Sequence, residues 1–254
     1  MTEPLPAVGL FDVRRLRLVE TEAPQLSPED ARARDRVWSR AVRANPHLFD
    51  GPVVACAGMA REGDGLVLSW ARVTYRHYAL RRVPGNTSWL PPLFVSVVQP
   101  TCGGHVLVGR MSPSTAAPGR WQLPGGSAEP PADGGALDEG ALRSHAAREL
   151  EEEAGTRLDP EDLRLWAVSR GENRSVGLFY LAPPRSAAEL RESFEAATEA
   201  ERASGRAPEL DRIAFVASPA DLSDLEGPHV AYLEHVVRRC WGCGGLPSGV
   251  RSAR

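Results

Sequence analysis

Several features are scarce in this sequence, and each scarcity excludes something. No run of about 18 apolar residues occurs, so no membrane span is expected. Cysteine is too sparse for a disulfide scaffold: Cys56, Cys102, Cys240 and Cys243 are the whole supply in 254 residues. A reducing, cytoplasmic setting is therefore expected. Cys240-Trp241-Gly242-Cys243 is a lone Cys-x-x-Cys. A structural zinc needs about two further ligands, and His235 is the one nearby helper, so plain tail cysteines are expected. Excess positive charge is also missing. A formal net charge of -3 gives no footprint for nucleic acid, and a polyanionic small molecule would need local arginines or bound cations. The start of the chain lacks the basic-then-apolar order of a signal peptide, and no internal repeat is found.

What is present reads as an ordinary globular chain, 42% hydrophobic and 25% charged. Leu10 to Val19 alternates like a strand. Ser27-Pro28 starts a helix to about Ala44, since Ser27 can cap and Pro28 suits the first turn; Asn45-Pro46 ends it. Two strands, 53–60 and 66–73, flank a turn at Gly63-Asp64-Gly65. Strands at 93–98 and 105–109 are joined by Gly103-Gly104, and 113–140 is loop. A strong helix covers 141–154. Strands follow at 163–170 and 176–182, a polar helix at 186–203, a strand at 213–216 and a closing helix at 222–239. The tail from Cys240 is Gly-rich and reads as frayed.

The chemistry concentrates in Arg148-Glu149-Leu150-Glu151-Glu152-Glu153-Ala154-Gly155. Glu149, Glu152 and Glu153 are spaced i, i+3 and i+4, so a helix puts them on one face. Like charges there repel unless a cation sits among them, and hard oxygen ligands suit Mg²⁺ or Mn²⁺. A Glu-rich run taken alone is most often a solvated face. Upstream, Trp121-Gln122-Leu123-Pro124-Gly125-Gly126 adds a strand end and a glycine bend where backbone carbonyls can approach a metal. Arg148 can orient a carboxylate by a forked hydrogen bond.

This segment resembles the signature of the Nudix family: Gly, five residues, Glu, seven residues, then Arg-Glu-apolar-any-Glu-Glu-any-Gly-apolar. Arg148, Glu149, Leu150, Glu152, Glu153 and Gly155 match; Thr156 stands at the last, apolar position. The spacing from Gly126 to Arg148 departs by about eight extra residues. The family's upstream Glu falls on Gly140 and its first Gly on Gly134, with Glu139 and Glu129 both open as replacements. The resemblance implies an α/β Nudix fold, an α/β/α sandwich with a mixed sheet. It implies Mg²⁺, with Mn²⁺ as a substitute, held by Glu149, Glu152, Glu153 and the carbonyl of Gly125 or Gly126. It implies attack of water on a phosphorus, a carboxylate taking the proton; Glu209 and Glu172 are the later-loop candidates, and a plain surface residue is the alternative for Glu209.

A finer resemblance reaches the Nudix enzymes that hydrolyse UDP-glucose and UDP-galactose. It rests on Trp38, on Asn45 through Pro52, on Val73-Thr74-Tyr75-Arg76-His77-Tyr78 and on Arg170-Gly171-Glu172-Asn173. It implies an N-terminal β-rich subdomain (1–90) packed on a Nudix domain (91–239), with a tail (240–254). It also implies a nucleotide-sugar substrate, contacted by Tyr75, Arg76, Arg170 and Glu172 and released as UMP and sugar 1-phosphate. The tyrosines could equally be ordinary strand residues. The expected partner is that small molecule, with no nucleic acid and no membrane, and a homodimer is compatible. ADP-ribose, a dinucleotide or an oxidised nucleotide as substrate, and a ligand-binding module without turnover, stay open.

Overall fold

The computed structural model describes residues 9–131, 135–171 and 173–242, the last two of them by backbone alone. Among the described residues, ten strands form three sheets: β1 (Gly9–Phe11), β2 (Arg15–Glu20), β3 (Pro52–Glu62), β4 (Gly65–Thr74), β5 (Leu93–Val98), β6 (Val106–Met111), β7 (Trp121–Gln122), β8 (Arg164–Arg170), β9 (Val176–Leu181) and β10 (Leu210–Val216). The helices are α1 (Pro28–Ala44), α2 (Glu139–Ala154), α3 (Ala187–Ala203), α4 (Pro219–Ser223) and α5 (Ala231–Gly242), with 3₁₀ turns at Tyr75–Arg82 and Pro160–Asp162.

The central sheet runs β1-β8-β9-β5 and is mixed, β5 lying parallel to β9 and the other pairs antiparallel. Period-2 alternation decides which helix each face receives. Leu93, Val95 and Val97 of β5, with Val176, Leu178 and Tyr180 of β9, pack on Leu142, Ala146 and Leu150 of α2. Val98, Phe179 and Leu181 on the other face pack on Leu233, Val236 and Val237 of α5. The result is the α/β/α sandwich. Each leucine fully buried here contributes about 2–3 kcal/mol of hydrophobic stabilisation.

The N-terminal sheet, β2-β4-β3, shares the core of α2: Val54, Leu66, Leu68 and Trp70 join the same buried cluster. Residues 9–90 are thus continuous with the rest, and β1 even completes the central sheet.

Four local expectations need correction. Leu10 to Val19 is two strands in different sheets. The chain turns a corner at Asp12, whose carboxylate pairs with Arg239 and whose carbonyl accepts from Arg61. The turn at Gly103-Gly104 closes only a short antiparallel link, Pro100 to Val106; along their lengths β5 pairs with β9 and β6 with β10 and β7. The closing helix is broken into α4 and α5, because Gly227-Pro228 cannot continue it and the Pro228 carbonyl accepts from Trp121 N–H. Cys240 is no frayed tail residue; it is buried in α5. Cys243 and Gly134 lie outside the described residues.

Candidate active site

The glycine bend runs along the edge of β5. Val97 N–H donates to the Pro124 carbonyl at 2.8 Å, Val95 N–H to the Gly126 carbonyl at 3.0 Å and Ala128 N–H to the Leu93 carbonyl at 2.9 Å. Gly125 has φ +149°, and a Cβ there would lie 2.2 Å from the Val95 carbonyl oxygen. Only glycine fits such a site. A Cβ on Gly126 would come within 2.7 Å of a Glu149 carboxylate oxygen. The bend is therefore pressed between β5 and α2.

Helix α2 brings the acids there. Asp138 caps its start by accepting from Ala141 N–H at 2.8 Å, and Gly155 stops it. Its apolar side docks on the sheet, so the i, i+4 and i+7 positions His145, Glu149 and Glu152 turn toward the bend with Glu153 beside them. Glu153 is buried; its Oε2 accepts from Gly125 N–H at 2.8 Å, while its Oε1 is buried with no hydrogen-bond partner. Burial first, then Glu209 and Glu149, hold its carboxyl well above the ordinary range. Glu149 Oε1 lies 2.6 Å from His145 Nε2. Glu152 sits at the exposed rim; burial of part of its surface and the charge of Glu149 raise its carboxyl, against the pull of Arg148.

Arg148 Nη2 donates to Glu129 Oε2 at 2.7 Å. Of the two candidates for the upstream acid, Glu129 alone reaches this cluster. Glu139 lies in the first turn of α2, near Arg143. It is ten residues ahead of Glu149, about 15 Å along a helix axis. Glu209, just before β10, is open to water at its surface, yet desolvation and then Glu149 and Glu152 raise its carboxyl. Its charge is therefore felt by the same row.

Among the described residues, no three His, Cys, Asp or Glu side chains are drawn together into a ready-made metal cage. The donor chemistry nevertheless fits a hard divalent cation. One oxygen each of Glu149 and Glu153 has no hydrogen bond from the described residues beside the bend, and the carboxyls of Glu152 and Glu153, raised first by burial, are raised further by the charge of Glu149. The expected Gly126 carbonyl is occupied by Val95 N–H; the Gly125 carbonyl meets only the Gln122 amide, at 3.5 Å, and is the freer oxygen.

A cleft of roughly 600 Å³ opens between α1 and the 3₁₀ turn Tyr75–Arg82, lined among others by Trp38, Tyr75, Tyr78, Trp89, Arg82 and Arg120. Tyr75 stands edge-on to Trp38 and Tyr78, with ring centres 6.2 and 5.5 Å away. Burial and then the charge of Glu209 raise its phenol. Two expected contacts do not reach it. Arg76 is tied to Asp50 at 3.0 Å and Asp35 at 3.8 Å. Arg170 ends β8, where it pairs with Gly9 of β1 and Val176 of β9, and is not among the residues that line the cleft. Glu172 lies outside the described residues, although Asn173 and Ser175 line the cleft. Sequence reasoning missed Trp89, Arg82, Arg120 and His145. Only His145 carried a readable signal, four residues before Glu149.

The NUDIX domain model matches residues 91–240, more than half of the chain. The chain belongs to the Nudix family and is an enzyme of its class, a pyrophosphohydrolase of nucleoside diphosphate derivatives. Solved structures with some likeness include a MutT protein from Methanosarcina mazei Go1, at 21% identity and TM-score 0.39, covering 59% of this chain and 92% of that one. A Nudix hydrolase from M. smegmatis, RenU, shows 17% identity and TM-score 0.33 over 65% and 89%. A MutT/nudix family protein from Enterococcus faecalis shows 16% and 0.31; this chain spans 43% of its length and is covered over 49% of its own. No curated protein matches. Among the described residues no helix is long and apolar enough to cross a membrane.

Proposed function

We propose that this enzyme hydrolyses the diphosphate bond of a UDP-sugar, releasing UMP and a sugar 1-phosphate, with Mg²⁺ as its cofactor and Mn²⁺ as a substitute. The observation that carries the reading is the row of acids at the Gly125–Gly126 bend, in a chain that also holds an aromatic cleft edged by arginines.

Glu149, Glu152, Glu153 and the Gly125 carbonyl would hold the cation. When bound, it neutralises the diphosphate and makes water a better nucleophile. The chain's own residues do the rest. Arg148 and Glu129 brace the rim of the row through their ion pair. Glu209 has its carboxyl raised by its surroundings, which suits it to accept a proton from the attacking water. Trp38, Tyr75 and Trp89 offer ring faces and edges for a base or sugar, and Arg82 and Arg120 offer charge for phosphate. Residues 1–90 thereby supply one wall of the pocket. We assign the enzyme to a reducing, cytoplasmic setting, in keeping with the thiols of Cys56 and Cys102.

A panel of UDP-glucose, UDP-galactose, ADP-ribose and a dinucleotide, each with Mg²⁺ or Mn²⁺, tests the reading. UMP release from the UDP-sugars, with ADP-ribose inert, is expected. The reverse pattern replaces the substrate, and inert behaviour throughout replaces the enzyme with a binding module.

A further inference from the structure

We propose that His145 is a positioning residue for Glu149, holding one carboxylate oxygen so that the other stays free beside the bend. The inference rests on the reading of the acid row as a cation site.

His145 is 7% exposed and lies one helical turn before Glu149. Its two ring nitrogens are both engaged. The backbone N–H of Glu129 points at Nδ1, 3.4 Å away, so Nδ1 is the acceptor. The ring hydrogen then sits on Nε2, which donates to Glu149 Oε1 at 2.6 Å. Glu149 Oε2 accepts no hydrogen bond from the described residues. The same division appears at Glu153, where Gly125 N–H takes Oε2 and leaves Oε1 without a partner. Each acid is thus held by one oxygen and offers the other beside Gly125–Gly126.

Two consequences follow. A carboxylate surrounded by Glu152, Glu153 and Glu209 is pushed outward by their charge, and the imidazole N–H tethers it. Glu129 is also held twice, by its N–H to His145 and by its side chain to Arg148. His145 therefore joins the bend to the helix as well as aiming one acid. Hydrogen-bond partners of metal-binding groups typically change affinity by about 10–100-fold when removed.

The test compares wild type, His145→Leu and His145→Gln by Mn²⁺ titration followed by paramagnetic resonance, without nucleotide. His145→Leu keeps bulk but loses the donor; Gln carries an N–H the same number of bonds from the backbone. Leu is expected to weaken Mn²⁺ at least about tenfold and to lower kcat with KM for nucleotide unchanged. Gln is expected to restore most of both. Wild-type Mn²⁺ affinity in His145→Leu overturns the inference. Nitrogen-15 NMR of the wild-type imidazole provides a readout independent of either variant's folding: hydrogen on Nε2 supports the inference, and hydrogen on Nδ1 alone overturns it. Weakened Mn²⁺ binding in a protein that hydrolyses no nucleotide keeps this inference and removes the proposed function. A wild type that takes up no Mn²⁺ overturns both.

Discussion

Helices α1 and α2 are nearly equal in length, 17 and 16 residues, and each is capped by a side chain, Ser27 in one and Asp138 in the other. They differ in what they bury. Seven residues of α2 are buried, while α1 buries none and packs mainly on the 3₁₀ turn Tyr75–Arg82 across an open cleft. Packing of an apolar face, rather than propensity, supplies most of a helix's stability in a protein. The molecule therefore keeps its charged row on the more deeply buried of the two helices and builds the cleft wall from the less buried one. Acids that repel one another need a stiff support; a pocket for a flat ring can adjust.

That contrast can be broken or sharpened by substitution, and the largest effect belongs to α2. Glu153→Gln is expected to lower kcat by roughly 10²–10³-fold, the scale of losing one preorganised electrostatic group. In metal-free protein the same change should leave the thermal midpoint unchanged or higher, since it removes a buried, partly unpaired acid. Steady-state kinetics and calorimetry check the two halves. A drop in both activity and stability would make Glu153 a structural acid.

Next in size is the bend. Gly125→Ala combines a left-handed φ with a backbone collision at 2.2 Å, and a loss on the order of 3 kcal/mol is expected in urea unfolding. An unchanged midpoint would mean that the bend is loose.

The cleft side gives a pH test. Leu90 N–H donates to His77 Nε2 at 2.9 Å, and burial, then Arg34, push this imidazole down to about 4 from 6.5. Between those values the unfolded chain binds a proton that the folded chain refuses. Stability from this group is full above pH 6.5 and is lost as pH falls toward 4. The contribution is about 2–3 kcal/mol at most, and His77→Gln should flatten that part of the stability profile. An identical slope in the variant would contradict the assignment.

The smallest effect belongs to α1. Trp38→Ala is expected to raise KM for the nucleotide about tenfold, the worth of one stacked ring, with kcat and folding nearly unchanged. A fall in kcat instead would place Trp38 at the reacting bond.

Much of α2 is legible in the sequence because its signals are local: acids spaced on one face and Gly155 as a stop; the Asp138 cap, which starts it two residues before the expected 141, lies in a stretch that reads as loop. The glycine bend is legible for the same reason. The break of Leu10–Val19 into β1 and β2 is not, since the partners that set it, β8 and β4, are far along the chain. The 3₁₀ turn at Tyr75 follows a β-rich run with no breaker residue, so nothing local marks it. His145 sits four residues before Glu149, a spacing that marks a hydrogen-bonded pair on one helix face rather than a set of metal ligands. Trp89 and Arg120 reach the cleft only through tertiary folding. Arg76 reads as a ligand contact because Asp35 and Asp50, which hold it, are distant in sequence.

The central claim is that the α2 acids at the bend cut a diphosphate bond. Its most direct test is hydrolysis of UDP-glucose in oxygen-18 water with Mg²⁺, by wild type and by Glu152→Gln, read by mass spectrometry. Wild type should yield UMP and glucose 1-phosphate with one heavy oxygen on one of them, and the variant almost none. Equal label incorporation by the two proteins would contradict the account.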